Sequence, residues 1–443
     1  MAREIQTFLQ VIFAADRRAE GTDLEAVEMA ARDALHRAGA AVLSQLLDGE
    51  QSLHATHVPC ECGQQAQYYD LRCKQIMTVL GKSELKRAYY VCPYCHKGQS
   101  PRDRELDVEG TGFSPGVRRM MARVGSESSF DRGREQLQLL AGLEVHQKAV
   151  ERHAESIGAD LAARQQVEMK RAVQLEFPEV LGAAVPVLYI EMDGTGVPVV
   201  KAETEGRASK VDDQPAHTRE AKLACFFTQT STDKEGYAVR DEASTTYAGA
   251  IETAEEFGKR VYVEAWRRGW SRAQKKVVLA DGAIWIWNLA DQHFPGAIQI
   301  VDLYHAREHV WDTARLLHPS DADQRKQWGK RAQRMLDKGK IEALVAEIRS
   351  GLPPSPECAD EIENQADYFE RNKLRMRYPK FRRQGLFVGS GVIEAGCKTV
   401  IGSRLKQSGM FWTVRGANAI IALRCCCING RFEDYWANRA QAA

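Results

Sequence analysis

The chain has 443 residues, with 61 basic against 60 acidic side chains and a formal net charge of +1. At 44% hydrophobic and 27% charged residues it has the composition of a globular protein, which excludes collagen-like and disordered chains and leaves room for about two to four domains. No apolar stretch reaches the ~20 residues of a membrane span. The segment MAREIQTFLQ also lacks the basic-then-apolar order of a signal peptide, so a cytosolic location is expected. In that reducing compartment eleven cysteines are read as thiols or ligands rather than disulfides.

The balanced total hides an asymmetry. Residues 177–370 hold 24 basic and 32 acidic side chains, whereas residues 371–443 hold 14 and 3, a local +11. A segment that basic suits a polyanion, because phosphate contacts dominate nucleic-acid affinity; a solvated basic face is the equal alternative on charge alone.

Taken in order, residues 1–58 read as helical, with Val27, Ala30, Ala31, Leu35, Ala38 and Val42 at three-to-four spacing. Residues 60–95 place paired cysteines around a polar–apolar alternation, the pattern of a hairpin. Residues 114–175 return to helices, with Ser114-Pro115 as a start, Gly125 as a break, Ser129 as a second cap and Ala141-Gly142 as a turn. Strands are expected at 185–193, 197–201, 222–230, 277–281 and 297–302, and helices at 245–269, 283–294 and 304–317. That order describes a mixed five-stranded sheet covered by helices. Residues 318–384 are helical and charged, broken at Pro353, Pro354 and Pro356, and a last helix is expected at 414–432.

Two sets of residues point to chemistry. Cys60-x-Cys62 and Cys92-x-x-Cys95 form two knuckles, and four thiolates so placed suit one structural zinc ion in a ribbon; four separate thiols are the alternative. Asp193, Asp281 and Asp302 each end a strand, and Glu394 stands where a helix can begin. The carboxyl ends of strands line the ligand crevice of an open sheet. Acids gathered there repel one another unless they hold cations, and hard oxygen donors suit two Mg²⁺ (or Mn²⁺) ions of the kind used in phosphodiester chemistry. Any one of them alone is more often a cap or a surface residue.

On these residues the chain resembles the DDE-type transposases of bacterial insertion sequences, closest to the ISKra-type group and related to Mutator-like and hAT-like transposases. The resemblance implies a ribonuclease-H-like catalytic core in which Asp193, Asp281 and Glu394 are the catalytic, metal-holding acids. It places an Asp-x-x-His motif at Asp302 to His305 and a helical insertion over the stretch 306–384. The run GSRLKQSGMFWTVRGANAII (402–421) matches as well. His305 is equally read as a structural histidine or as a group beside the metal or phosphate. Lys398, Arg404, Lys406 and Arg415 surround the Glu segment and would meet phosphates if DNA crosses the site. Trp412 and Phe411 are open to stacking on an unpaired base, though a core role is the commoner fate of such rings. Residues 115–160 resemble a helix-turn-helix whose second helix offers Gln147, Lys148 and Arg152, types that reach base edges.

The expected architecture is therefore α/β and multidomain. It comprises a helical region (1–58), a zinc ribbon (59–110), a helix-turn-helix-like region (111–176), a ribonuclease-H-like core (177–310), a helical insertion (311–384) and a C-terminal Glu segment with a basic helix (385–443). The expected function is a DNA transposase that binds terminal inverted repeats, cleaves them with two metal ions and joins the 3′ hydroxyl to target DNA. It is expected to act as a homodimer or higher on double-stranded DNA, in the bacterial cytoplasm and nucleoid, without a membrane. The alternatives are a domesticated transposase serving as a DNA-binding regulator, and a ribonuclease-H-like nuclease.

Overall fold

The computed structural model describes residues 23–49, 54–177, 184–208, 215–351 and 356–442. The first 22 residues of the expected N-terminal helical region, and Pro353 and Pro354, lie outside the described residues. The chain divides into two compact units, residues 1–157 with 431–443, and residues 158–430.

The first unit begins with helix α1 (Leu24–Gly49), followed by strands β1 (His57–Pro59), β2 (Gln65–Thr78), β3 (Gly81–Val91) and β4 (Gly98–Gln99), which form one antiparallel sheet in chain order. Strands β2 and β3 are long because only a two-residue turn separates them, with Thr78 paired to Gly81 and the ladder running back to Gln67 and Val91. Helix α1 docks on β3, where Ser44 Oγ accepts from the Glu84 amide at 3.0 Å. After the short α2 (Pro101–Glu105) come α3 (Pro115–Glu127), α4 (Phe130–Ala141) and α5 (Gln147–Val173), within which the division into units falls. Ser114 and Ser129 cap α3 and α4 through their hydroxyls, as the sequence indicated. Gly125 does not break α3. A Cβ there would stand 2.7 Å from Ala154, so the glycine allows α5 to approach closely. Val117, Met121, Leu137, Leu143, Val145 and Val150 form the core shared by the three helices. The final helix, Phe432–Ala442, belongs to this unit too, with Arg439 paired to Asp107 and Arg119 to Glu433.

The second unit is built on β5 (Val187–Pro198), β6 (Thr218–Gln229), a small hairpin β7 (Ser231–Thr232) and β8 (Ala238–Val239), and β9 (Thr246–Ala250). Helix α6 (Ala254–Arg267), β10 (Lys275–Ala280), α7 (Ile284–His293), β11 (Ile298–Val301) and α8 (Leu303–Leu317) follow. The five-stranded sheet has the order β11-β10-β5-β6-β9. β11, β10 and β5 are parallel, whereas β6 and β9 run antiparallel to their neighbours. The central strand is apolar because both of its faces are covered: Leu188, Tyr189, Ile190 and Met192 are buried on alternating sides.

The sheet has five strands as expected, but two are differently made. The run 197–201 is no separate strand, since β5 continues through Pro198 in unbroken pairing with β6. The helix expected over 245–269 begins only at Ala254, and its first residues are the edge strand β9. Alanine and glycine in TYAGA give little β-propensity, and pairing with Lys222–Phe226 overrides it.

Helices α9 (Ala322–Asp337), α10 (Ile341–Ser350) and α11 (Pro356–Asn372) follow, then α12 (Tyr378–Arg383). Helix α13 (Gly391–Gly396) runs on as a π-helical turn, Cys397–Gly402, to Leu405, and α14 (Val414–Ile428) completes the unit. No helix among the described residues is long and apolar enough to cross a membrane.

Candidate metal centre and acidic site

The cysteine site forms where two turns meet. Cys60 leaves β1 in a turn closed by its amide on the Gln64 carbonyl (2.8 Å), and Cys92 leaves β3 in one closed by its amide on the Lys97 carbonyl (3.0 Å). Cys60 Sγ lies 3.6 Å from Cys95 Sγ, Cys62 Sγ lies 3.7 Å from Cys92 Sγ, and all four sulfurs are within 4.8 Å of one another. Disulfide sulfurs are ~2.05 Å apart. Four thiolates ~2.3 Å from a central ion stand about 3.8 Å from each other in a tetrahedron. The spacing fits the second case, and the four cysteines could hold a metal such as zinc. Backbone amides of Cys95 and Tyr94 pull the Cys92 thiol down to about 7, toward the thiolate a metal needs.

The acidic site lies in the second unit. Asp193 sits on β5 directly after Met192, the last residue opposite β10, and Asp281 directly follows Ala280, the last residue of β10. The two acids thus stand together where the parallel part of the sheet ends. Asp193 does not end its own strand, contrary to the sequence reading, because β6 carries β5 five residues further. Its carboxyl accepts from the Gly194 amide at 2.6 Å and from the Cys397 thiol at 3.5 Å. Burial, with the charge of Asp281 adding to it, pushes its pKa up, partly offset by the hydrogen bonds and His305. Asp281 Oδ1 accepts from the Ala283 amide, and its carbonyl accepts from the Tyr368 hydroxyl at 3.0 Å. Gly282 has φ +103° and a Cβ there would lie 2.8 Å from the Tyr368 ring, so this turn needs glycine twice over. His309 stacks on Tyr368 at 3.8 Å.

Glu394 is exposed in the first turn of α13. Its charge and those of Asp193 and Lys406 all act on the thiol of Cys397, which puts these groups in one neighbourhood. Among the described residues, however, no three acids bring one oxygen each within 4.8 Å of one another, and the four cysteines are the one cluster whose ligand atoms do so.

Asp302, expected among the catalytic acids, is held by the backbone. It is 1% exposed, and both oxygens serve backbone amides: Oδ1 caps α8 at His305 (2.6 Å), and Oδ2 accepts from Ser390. His305 is half-exposed, with Nδ1 3.2 Å from Glu308. Two expected DNA contacts are likewise built into the fold. Arg404 is 0% exposed and lies over the Trp412 ring at 5.0 Å. Trp412 is buried, donates to the Leu405 carbonyl at 3.1 Å and pairs with β5 through Pro198. The exposed ring of that pair is Phe411. Lys398, Lys406 and Arg415 remain exposed, and Lys406 reaches Thr195. Gln147, Lys148 and Arg152 lie exposed at the start of α5, with Lys148 2.6 Å from Glu151.

The sequence reading missed Glu191. This side chain is 0% exposed; its Oε2 accepts from the Ile393 amide (2.9 Å) and the Cys225 thiol (3.7 Å), and burial raises its pKa to about 8. The signal was present, since an acid inside VLYIEMD interrupts a run otherwise buried on both faces.

The model of the Uncharacterised protein family (UPF0236) matches residues 17–437. No curated protein matches the chain. A solved structure titled Drosophila P element transposase strand transfer complex aligns over 77% of this chain and 84% of its own, at 10% identity and a TM-score of 0.25.

Proposed function

The chain belongs to the UPF0236 family, and we propose that it is a metal-dependent DNA transposase that cuts element ends and joins their 3′ hydroxyls to target DNA. The observation that carries the reading is the meeting of Asp193 and Asp281 where the parallel pairing of β5 with β10 ends, with Glu394 presented from the helix whose next residue touches Asp193. The sheet order β11-β10-β5-β6-β9, with an antiparallel β5-β6-β9 meander, supports a ribonuclease-H-like core. Helices α9–α12 then supply the helical insertion between second Asp and Glu.

The donor set fits divalent cations. Burial and the charge of Asp281 raise the cost of ionising Asp193, which a cation held by hard oxygens would reverse. When bound, two Mg²⁺ ions would activate a water or 3′ hydroxyl and stabilise the leaving oxygen. The protein's share is placement: Tyr368 and Gly282 fix the turn that aims Asp281, the Gly194 amide orients Asp193, and the exposed Lys398, Lys406 and Arg415 meet DNA phosphates. Helices α3–α5 then act as the end-reading module through Gln147, Lys148 and Arg152.

The test is incubation of the purified chain with Mg²⁺ and linear duplex carrying the ends that flank its gene. Strand-transfer products with free 3′ hydroxyls joined to target are expected from the wild type and absent in Asp193→Ala. Cleavage of RNA–DNA hybrid with no reaction on duplex ends would replace this reading with a ribonuclease.

A further inference from the structure

The helix that presents Glu394 is short and has no side-chain cap of its own: the hydroxyl of Ser390 at its N-cap makes no capping hydrogen bond. Within that turn the Ile393 and Glu394 amides reach the Ser390 carbonyl at 3.1 and 3.3 Å. Two carboxyls from the sheet tie the turn down further, the Ile393 amide being shared between Ser390 and Glu191. Asp302, at the end of β11, accepts from the Ser390 amide, and Glu191, in the middle of β5, accepts from the Ile393 amide. Ile393 immediately precedes Glu394. Glu191 stands two residues before Asp193, so both side chains leave β5 on the same face. Both hydrogen bonds to Glu191 fall on Oε2, while Oε1 is buried without a partner. An acid kept at 0% exposure on such terms is costly, and a leucine would fill the same space more cheaply.

Resting on the transposase reading above, we propose that Glu191 is a positioning residue that, together with Asp302, pins the first turn of α13 to the strands carrying the catalytic aspartates and so sets where Glu394 stands. Its role is to accept one hydrogen bond at a fixed distance from β5. The partners of metal ligands commonly change metal affinity or activity about 10–100-fold when lost.

Three variants separate the acceptor from the charge and from the packing. Glu191→Gln keeps an oxygen at the same reach, Glu191→Asp withdraws it by one methylene, and Glu191→Leu removes it. The Mg²⁺ concentration for half-maximal nicking of end DNA should stay within about twofold of wild type in Glu191→Gln and rise about 10–100-fold in Glu191→Asp and Glu191→Leu. DNA affinity without metal should be unchanged in all three, which a merely structural lesion would not allow. A normal metal requirement in Glu191→Asp, or an equal loss in Glu191→Gln, overturns the proposal. Should Glu191→Leu fail to fold, the Asp and Gln pair decides. If the wild type itself does not nick DNA, the transposase reading fails first, and amide exchange over 390–396 still judges the tether. Exchange at least tenfold faster in Glu191→Asp than in Glu191→Gln supports it, and equal rates refute it.

Discussion

The four-cysteine site and the acidic site gather their ligands in opposite ways. The sulfurs of Cys60, Cys62, Cys92 and Cys95 already stand at tetrahedral spacing, whereas Asp193, Asp281 and Glu394 share a neighbourhood without closing on a common point. Charge explains the contrast. Thiols can approach one another as neutral groups and exchange protons for a metal later, but carboxylates at pH 7 repel. A site of the first kind can hold a fold together; on the proposed reading, one of the second kind is completed by the ions and substrate it acts on.

The contrast breaks most plainly through the acids. Asp193→Ala and Asp281→Ala should abolish end cleavage while leaving DNA binding intact, and circular dichroism should show native folds. Loss of DNA binding in both would make them structural residues. Next in size is the cysteine site. Metal analysis should return about one zinc per chain, and Cys92→Ser should unfold the first unit, since structural zinc in small modules contributes on the order of 10 kcal/mol at neutral pH. A folded, zinc-free wild type would remove the site from consideration.

Smaller effects sharpen the comparison. Replacing Lys398, Lys406 and Arg415 by Gln should reduce the slope of log affinity against log salt by about 2 to 3, each phosphate contact contributing about 0.9. Arg404→Gln should instead destabilise the protein, because that guanidinium is buried over Trp412. A slope unchanged by the triple substitution would make the basic residues a solvated face. The smallest effect is a titration in the first unit. Burial beside Phe113, with Arg118 and Arg152 nearby, lowers the pKa of His153 to about 4 from the ordinary 6.5. The unfolded chain binds this proton first, so the contribution is complete above pH 6.5 and is lost as pH falls toward 4. Denaturation of His153→Gln across that range should show a shallower pH dependence than wild type.

The residues whose chemistry is local were legible in the sequence. Ser114 and Ser129 announced their helices, the cysteine spacing announced its site, and the acids at 193 and 281 followed from apolar runs that stop. What was hidden depends on partners distant in the chain. Arg404 and Trp412 read as DNA contacts because nothing in their local sequence shows that they pack on each other and against β5. Asp302 read as a metal ligand because nothing near it in the chain shows that its second oxygen is taken by the Ser390 amide, 88 residues on. β9 read as helix because alanine and glycine follow their sheet neighbours rather than their own propensity.

The first unit is closed by Phe432–Ala442, a helix translated only after the whole of the second unit. Until then Asp107, which receives both Arg118 and Arg439, lacks one of its two cations. The second unit, continuous in the chain from 158 to 430, has all its residues available earlier. Translation order and completion order are therefore reversed: the half made first is finished last. A nascent chain cut short between residues 406 and 430 would carry Asp193, Asp281 and Glu394 beside an incomplete first unit, and cellular proteases would see it as unfinished.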